Sequence, residues 1–170
     1  GSSAASDVYK RELLENGADA NWTRPHSGAT SAWIAARDGH AEVVRVLAEL
    51  GANVKTSENN GATPAWAAAW GGHAEVVRLL AELGANLETP MGYGGTPAHV
   101  AAQNGHAEVL RLLAELGANL ETPINNRTTP VSIAVRNGHE EVVRLLQKRS
   151  ERKARHMQWA TAADAMKGLQ

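Results

Sequence analysis

Four histidines, each preceded by glycine, stand at His40, His73, His106 and His139, one every 33 residues. Imidazole is a common zinc ligand and the side chain that titrates nearest neutrality, so the row raises metal chemistry first. The spacing argues against it. Packed helices lie about 10 Å apart and zinc holds its ligands at about 2 Å, so residues in successive packed units cannot share one ion. No Asp, Glu or Cys stands where it would complete a site, and the imidazoles are expected to bond loop backbone instead. Thr30, Thr63, Thr96 and Thr129 share the same step, but none sits in the strand–turn–helix elbow of a nucleophile, and the chain has no cysteine. The run Met91-Gly92-Tyr93-Gly94-Gly95 is rich in glycine yet lacks the lysine of a phosphate loop. No catalytic constellation, metal or cofactor is expected.

The remaining candidates are residues for binding. In TPAWAAAWGGH, Thr63 to His73, Trp66 and Trp70 are one helical turn apart and share a face. Trp33 and Trp66 are equivalent within the period and are expected to pack against the next copy. Trp70 falls in a row with Arg37, Gln103 and Arg136, where the other copies keep polar side chains. An indole at such a place is expected to face solvent as an anchor, the role in which tryptophan is enriched at interfaces. Gly71 beside it is expected to leave bare backbone for a close approach. Tyr93, Asn59, Asn60, Asn104, Asn125 and Asn126 extend this surface as an aromatic and amide mixture suited to adaptable contacts.

Composition narrows the partner. The 170 residues are 43% hydrophobic and 21% charged with net charge −1, which gives no global attraction to nucleic acid or acidic lipid. No stretch approaches the roughly 18 apolar residues of a membrane span. The balance hides an asymmetry: residues 148–170 carry six Lys/Arg against two Asp/Glu, or +4, leaving −5 on the rest. The run Lys148 to His156 is expected to be a solvated helix face, with nucleic acid or an acidic partner helix as the sharper alternative.

The elements that hold these side chains follow from the period. The segments AEVVRVLAELGAN (41–53), AEVVRLLAELGAN (74–86) and AEVLRLLAELGAN (107–119) are near-copies. Each copy reads as two short helices and a turn. Thr63 caps the first helix and Pro64 opens it, where a missing N–H costs nothing. Gly72 turns the chain. The second helix, Ala74 to Leu83, buries Val76, Val77, Leu80 and Leu83 at helical spacing, with Arg78 paired to Glu82 one turn on. Gly84 stops it, and Asn, Pro and Gly in the residues that follow make an extended hairpin.

A unit this small cannot bury its own apolar stripe, so copies must stack and share a core. The pattern T-P-A-x-x-A-A-x-x-G-H-A-E-V-V-R-L-L with a closing G-A-N resembles the ankyrin repeat over roughly residues 6–149. The resemblance implies an all-α, curved solenoid of helix–turn–helix units whose first helices and hairpin tips line a concave face. The chain departs from the pattern in places. Ser31 replaces the first-turn proline, and Arg127 replaces the turn glycine, which leaves the last hairpin's conformation open. Trp33, Trp66, His99 and Ser132 stand where the family keeps the histidine of Thr-Pro-Leu-His. The first hairpin is one residue longer than the second.

The expected organisation is a tag remnant at 1–5 (Gly1-Ser2-Ser3 opens it), a repeat domain over 6–149 and a basic helical tail over 150–170. Within the domain, a half-repeat cap at 6–24 directs Tyr9, Leu13 and Leu14 inward, and repeats follow at about 25–57, 58–90, 91–123 and 124–149. No Gly or Pro interrupts Glu140 to Lys167, so the last helix runs on or restarts. Trp159, Ala163 and Met166 at helical spacing predict a capping helix over 152–167 that covers the final repeat. The function expected is a non-catalytic module that presents a rigid groove to a protein partner. Recruitment of nucleic acid or an acidic regulator by the tail is the alternative, with self-association through the tail beside it; metal-assisted hydrolysis is a distant third. A natural array and an engineered scaffold both fit the near-identical helices. A soluble protein of the cell interior, cytoplasmic or nuclear, suits the absence of cysteine.

Overall fold

The computed structural model describes residues 19–167, together with Glu12 and Gly17. The N-terminal cap expected over 6–24, with Tyr9, Leu13 and Leu14, lies mostly outside them. Among the described residues the helices come in pairs: α1 (Ser31–Arg37) with α2 (Ala41–Glu49), α3 (Pro64–Gly71) with α4 (Ala74–Glu82), α5 (Pro97–Gln103) with α6 (Ala107–Glu115), and α7 (Pro130–Arg136) with α8 (Glu140–Lys167). Turns join the pairs, and strand pairing is confined to isolated bridges at Thr23–Thr30 and Ile124–Thr128.

The threonines cap as their position requires. Thr30 Oγ1 accepts the Trp33 N–H at 3.0 Å and Thr63 Oγ1 accepts the Trp66 N–H at 3.2 Å. At α7, Thr129 and Ser132 each take the other's backbone N–H. The glycines that end the first helices are left-handed, with φ 80 at Gly39, 78 at Gly72 and 77 at Gly105. Each also lies beneath a histidine of the following repeat. A Cβ on Gly72 would come within 2.6 Å of His106 Nδ1, and Gly39 and Gly105 bear the same relation to His73 and His139. Only glycine satisfies both demands at once.

One apolar core runs without interruption from Ala32 to Leu146. Val44, Val76, Val77, Leu80, Val109, Leu110, Leu113 and Val142 are sealed from solvent, and each such burial contributes about 1.5–3 kcal/mol. The alanine-rich first helices pack on one another more extensively than the second helices do. Ion pairs decorate the opposite side. Arg78 reaches Glu115 of the next repeat at 3.5 Å, not Glu82 one turn on as expected, because stacking places the neighbouring helix within reach. Arg111 likewise spans to Glu141 at 2.6 Å. These pairs are exposed and contribute little beside the core.

The C-terminal segment departs most from expectation. Residues 140–167 form one unbroken helix, and its buried residues, Val142 and Leu146, lie in its first two turns. From Gln147 onward every described residue is exposed, with Trp159 at 78% and Met166 at 70%. Residues 152–167 therefore do not cover the final repeat. The reason is geometric: α8 is one continuous helix, rising about 1.5 Å per residue, and no Gly or Pro folds its second half back over the body. Arg127 does adopt the left-handed conformation of the glycine it replaces, at φ 64, within a 3-10 turn over Asn125–Arg127. The extra residue of the first hairpin is accommodated with His26 at φ 74. No helix among the described residues is long and apolar enough to cross a membrane.

Candidate protein-binding surface

The C-terminal ends of α1, α3, α5 and α7 place Arg37, Trp70, Gln103 and Arg136 at equivalent points of consecutive repeats along the first-helix side. Trp70 is 47% exposed, whereas Trp33 is 9% exposed. The difference follows from position on the helix. Trp33 and Trp66 lie in the first turn of their helices, where each indole reaches the next repeat's hairpin. Trp33 Nε1 donates to the Ala62 carbonyl at 3.0 Å and Trp66 Nε1 to the Gly95 carbonyl at 3.1 Å. Trp33 packs with Ala29, Ala62 and Ala67 in a small apolar cluster under the hairpins, and Trp66, half-buried, leans on it with Met91.

Trp70 has its main chain fixed from the neighbouring repeat. Asn104 Nδ2 donates to the Trp70 carbonyl at 2.9 Å, and His106 Nε2 bonds the same oxygen at 3.0 Å. A carbonyl only accepts, so Nε2 carries the proton. His139 Nε2 makes the same bond to the Gln103 carbonyl at 2.8 Å. These histidines are structural staples, as their spacing implied. Gly71 does not offer bare backbone to a visitor: a Cβ there would lie 2.6 Å from the Arg37 carbonyl and from His73 Cδ2, so the chain itself makes the close approach.

The other predicted residues divide between free and engaged. Gln103 and Arg136 are exposed, and Tyr93, 79% exposed, projects at the third hairpin. Arg37 is held by Asp38, Nε to Oδ1 at 2.7 Å and Nη2 to Oδ2 at 3.0 Å, with its guanidinium 5.7 Å from the Trp33 ring. Those hydrogen bonds keep the Asp38 carboxyl below its usual range. Asn59 Nδ2 donates to the His26 carbonyl, and Asn60 Oδ1 accepts from the Ala62 N–H, both at 2.8 Å, so these amides set hairpin register. Asn125 is exposed at the last tip; the side chain of Asn126 lies outside the described residues.

His99 is the one histidine at the place taken by Trp33 and Trp66. It is 3% exposed, and its Nδ1 receives the Thr96 N–H at 3.3 Å and the Thr96 hydroxyl at 2.8 Å. The ring is therefore neutral with the proton on Nε2, which faces the Thr128 and Thr122 carbonyls without making a well-formed hydrogen bond. Burial pushes its pKa below the ordinary value, and the Thr128 and Thr122 carbonyls oppose that in part. Among the described residues no three or more His, Cys, Asp or Glu cluster closely enough to hold a metal ion.

A second concavity, absent from the expectations above, opens on the second-helix side. It measures about 1050 Å³ and lies between α6, the 117–121 loop and the overhanging α8. The signal for it was the uninterrupted helix itself, which carries the basic run past the last repeat.

No curated protein sequence matches the chain significantly. A family model described as ankyrin repeats (3 copies) matches residues 4–91 and again 84–156. Its match spans most of the sequence, and the capped helix pairs, left-handed glycines and continuous core agree with it: the chain belongs to the ankyrin repeat family.

Proposed function

We propose that the chain binds a protein partner through its first-helix face and hairpin tips, with Trp70 as the anchor. Ankyrin repeats are generally protein-binding modules and typically not enzymes. The observation that carries the finer reading is the contrast within one residue. The Trp70 side chain is half exposed while its carbonyl takes two hydrogen bonds from the next repeat. An aromatic side chain carried on a main chain already fixed adds no backbone ordering cost on binding. Tyr93, Gln103 and Arg136 flank it as exposed contacts along the same side. Trp66, Arg37, Asn59, Asn60 and Asn104 support the surface, and they touch a partner with what their internal bonds leave free. Second helices that are near-copies suit a scaffold engineered for a chosen partner as well as a natural array.

The test is a partner captured on the immobilised chain, identified, and then titrated in purified form. Wild type, Trp70→Ala and a chain lacking residues 150–170 are compared. Loss of affinity in Trp70→Ala with retention in the truncated chain supports the concave face. The reverse pattern moves the activity to the tail.

A further inference from the structure

We infer that the groove between α6 and the overhanging part of α8 is a second binding site, for an acidic amphipathic peptide segment. Its charge balance is one-sided in a specific way. Each carboxylate that lines it is already engaged: Glu141 with Arg111 at 2.6 Å, Glu121 with Lys153 at 2.7 Å, and Glu115 with Arg78 at 3.5 Å. Lys148, Arg149 and Arg152 line the same groove and have no ion pair among the described residues. They are exposed and lie on adjoining turns of one helix, a fixed row of cations facing an open cleft. Half-buried Ala114 and Leu145 give the lining its apolar surface, with Ala118 and Leu120 buried beneath.

That combination selects among polyanions. A phosphate backbone presents closely spaced charge and no apolar face to set against the groove's aliphatic side chains. A peptide can place its carboxylates opposite Lys148, Arg149 and Arg152 and lay its apolar residues on Ala114 and Leu145, in the manner of a helix in a groove. The −5 carried by residues 1–147 makes the overhang the strongly basic part of the molecule, so an acidic segment is steered toward it. The groove is built from second helices and does not involve the Trp70 row, so this site stands or falls apart from the concave face.

The experiment is fluorescence anisotropy of the full chain with a labelled peptide of about 15 residues, roughly 22 Å as a helix, with leucines along one face and glutamates flanking them. The comparison ligands are the same peptide with serine for leucine, and a single-stranded RNA of equal charge. The leucine–glutamate peptide should bind in a salt-dependent manner. The serine peptide and the RNA should each bind several-fold more weakly. The triple variant Lys148→Glu, Arg149→Glu, Arg152→Glu should lower affinity by at least about tenfold. These three side chains are exposed, so the variant keeps its fold by circular dichroism, and Trp70→Ala should bind as wild type does. RNA bound as tightly as the peptide, or a triple variant that binds undiminished, overturns the inference. So does a free chain that sediments as a dimer and dissociates in the triple variant, because the groove's occupant is then a second copy.

Discussion

His106 and Trp70 belong to successive repeats, yet the imidazole Nε2 of one lies 3.0 Å from the main-chain oxygen of the other. The bond ties repeat to repeat at the point where the exposed indole leaves the backbone. It also explains Gly39, Gly72 and Gly105, since the following repeat's histidine ring passes directly over each of them.

Gly72→Ala is expected to destabilise the stack more than Gly117→Ala. Both glycines are left-handed, at φ 78 and φ 82, so both substitutions cost about 1–2 kcal/mol in backbone strain. At Gly117 nothing lies within 4 Å of the new Cβ, whereas at Gly72 it meets His106 Nδ1 at 2.6 Å and displaces the ring. The loss of the Trp70 bond adds about 1 kcal/mol. Urea unfolding measures the difference; equal midpoints for the two variants contradict the account.

Trp33→Phe should cost more than Trp66→Phe. Each removes an indole donor from a carbonyl of the next repeat, but Ala62 is fully buried and Gly95 is only partly so. A buried acceptor left unpaired costs about 1–3 kcal/mol, while water takes over at a wet one. Thermal melts of the two variants rank them.

Arg127→Gly is expected to stabilise the last hairpin. Arg127 holds φ 64, where the earlier hairpins have Gly61 and Gly94 at φ 87 and φ 85. Relief of the left-handed strain exceeds the added chain entropy of glycine in the unfolded state by about 0.5 kcal/mol. A lower unfolding midpoint in the glycine variant contradicts this.

Stability should fall in mild acid through His99. Its folded pKa lies below the ordinary value of 6.5 because burial disfavours the charged ring. As pH falls through 6.5 the unfolded chain takes up the proton first, so the contribution is complete above that pH and is lost progressively below it. His99→Trp restores the residue of the two preceding repeats and offers an indole N–H toward Thr128. Its stability should decline less than that of wild type between neutral pH and about pH 5. Parallel declines in urea midpoint contradict the assignment.

Much of this architecture was legible in local signals. Thr63-Pro64 and the Gly-His pairs mark helix ends through backbone chemistry, and Val76, Val77 and Leu80 mark the core by spacing alone. The structure places Trp33 and Trp66 against the next hairpin, as their equivalence within the period implied. What escaped depends on neighbours a single repeat does not contain. Arg78 chooses Glu115 over Glu82 because the adjacent helix is closer to its guanidinium, and Gly71 is filled by the Arg37 carbonyl and the His73 ring. The tail escaped for another reason. Helical spacing of Trp159, Ala163 and Met166 predicts a face but not a surface to receive it, and a helix without a break has no means of turning back. The basic groove follows from that same overhang.

The proposed function requires that a rigid stack present the Trp70 indole to a protein partner. The affinity of an identified partner for wild type and for Trp70→Ala, with unfolding midpoints measured alongside, tests it most directly. Trp70→Ala should lose about 2 kcal/mol or more, roughly thirtyfold, with the midpoint nearly unchanged because the side chain is half exposed. An unchanged affinity in the alanine variant contradicts it.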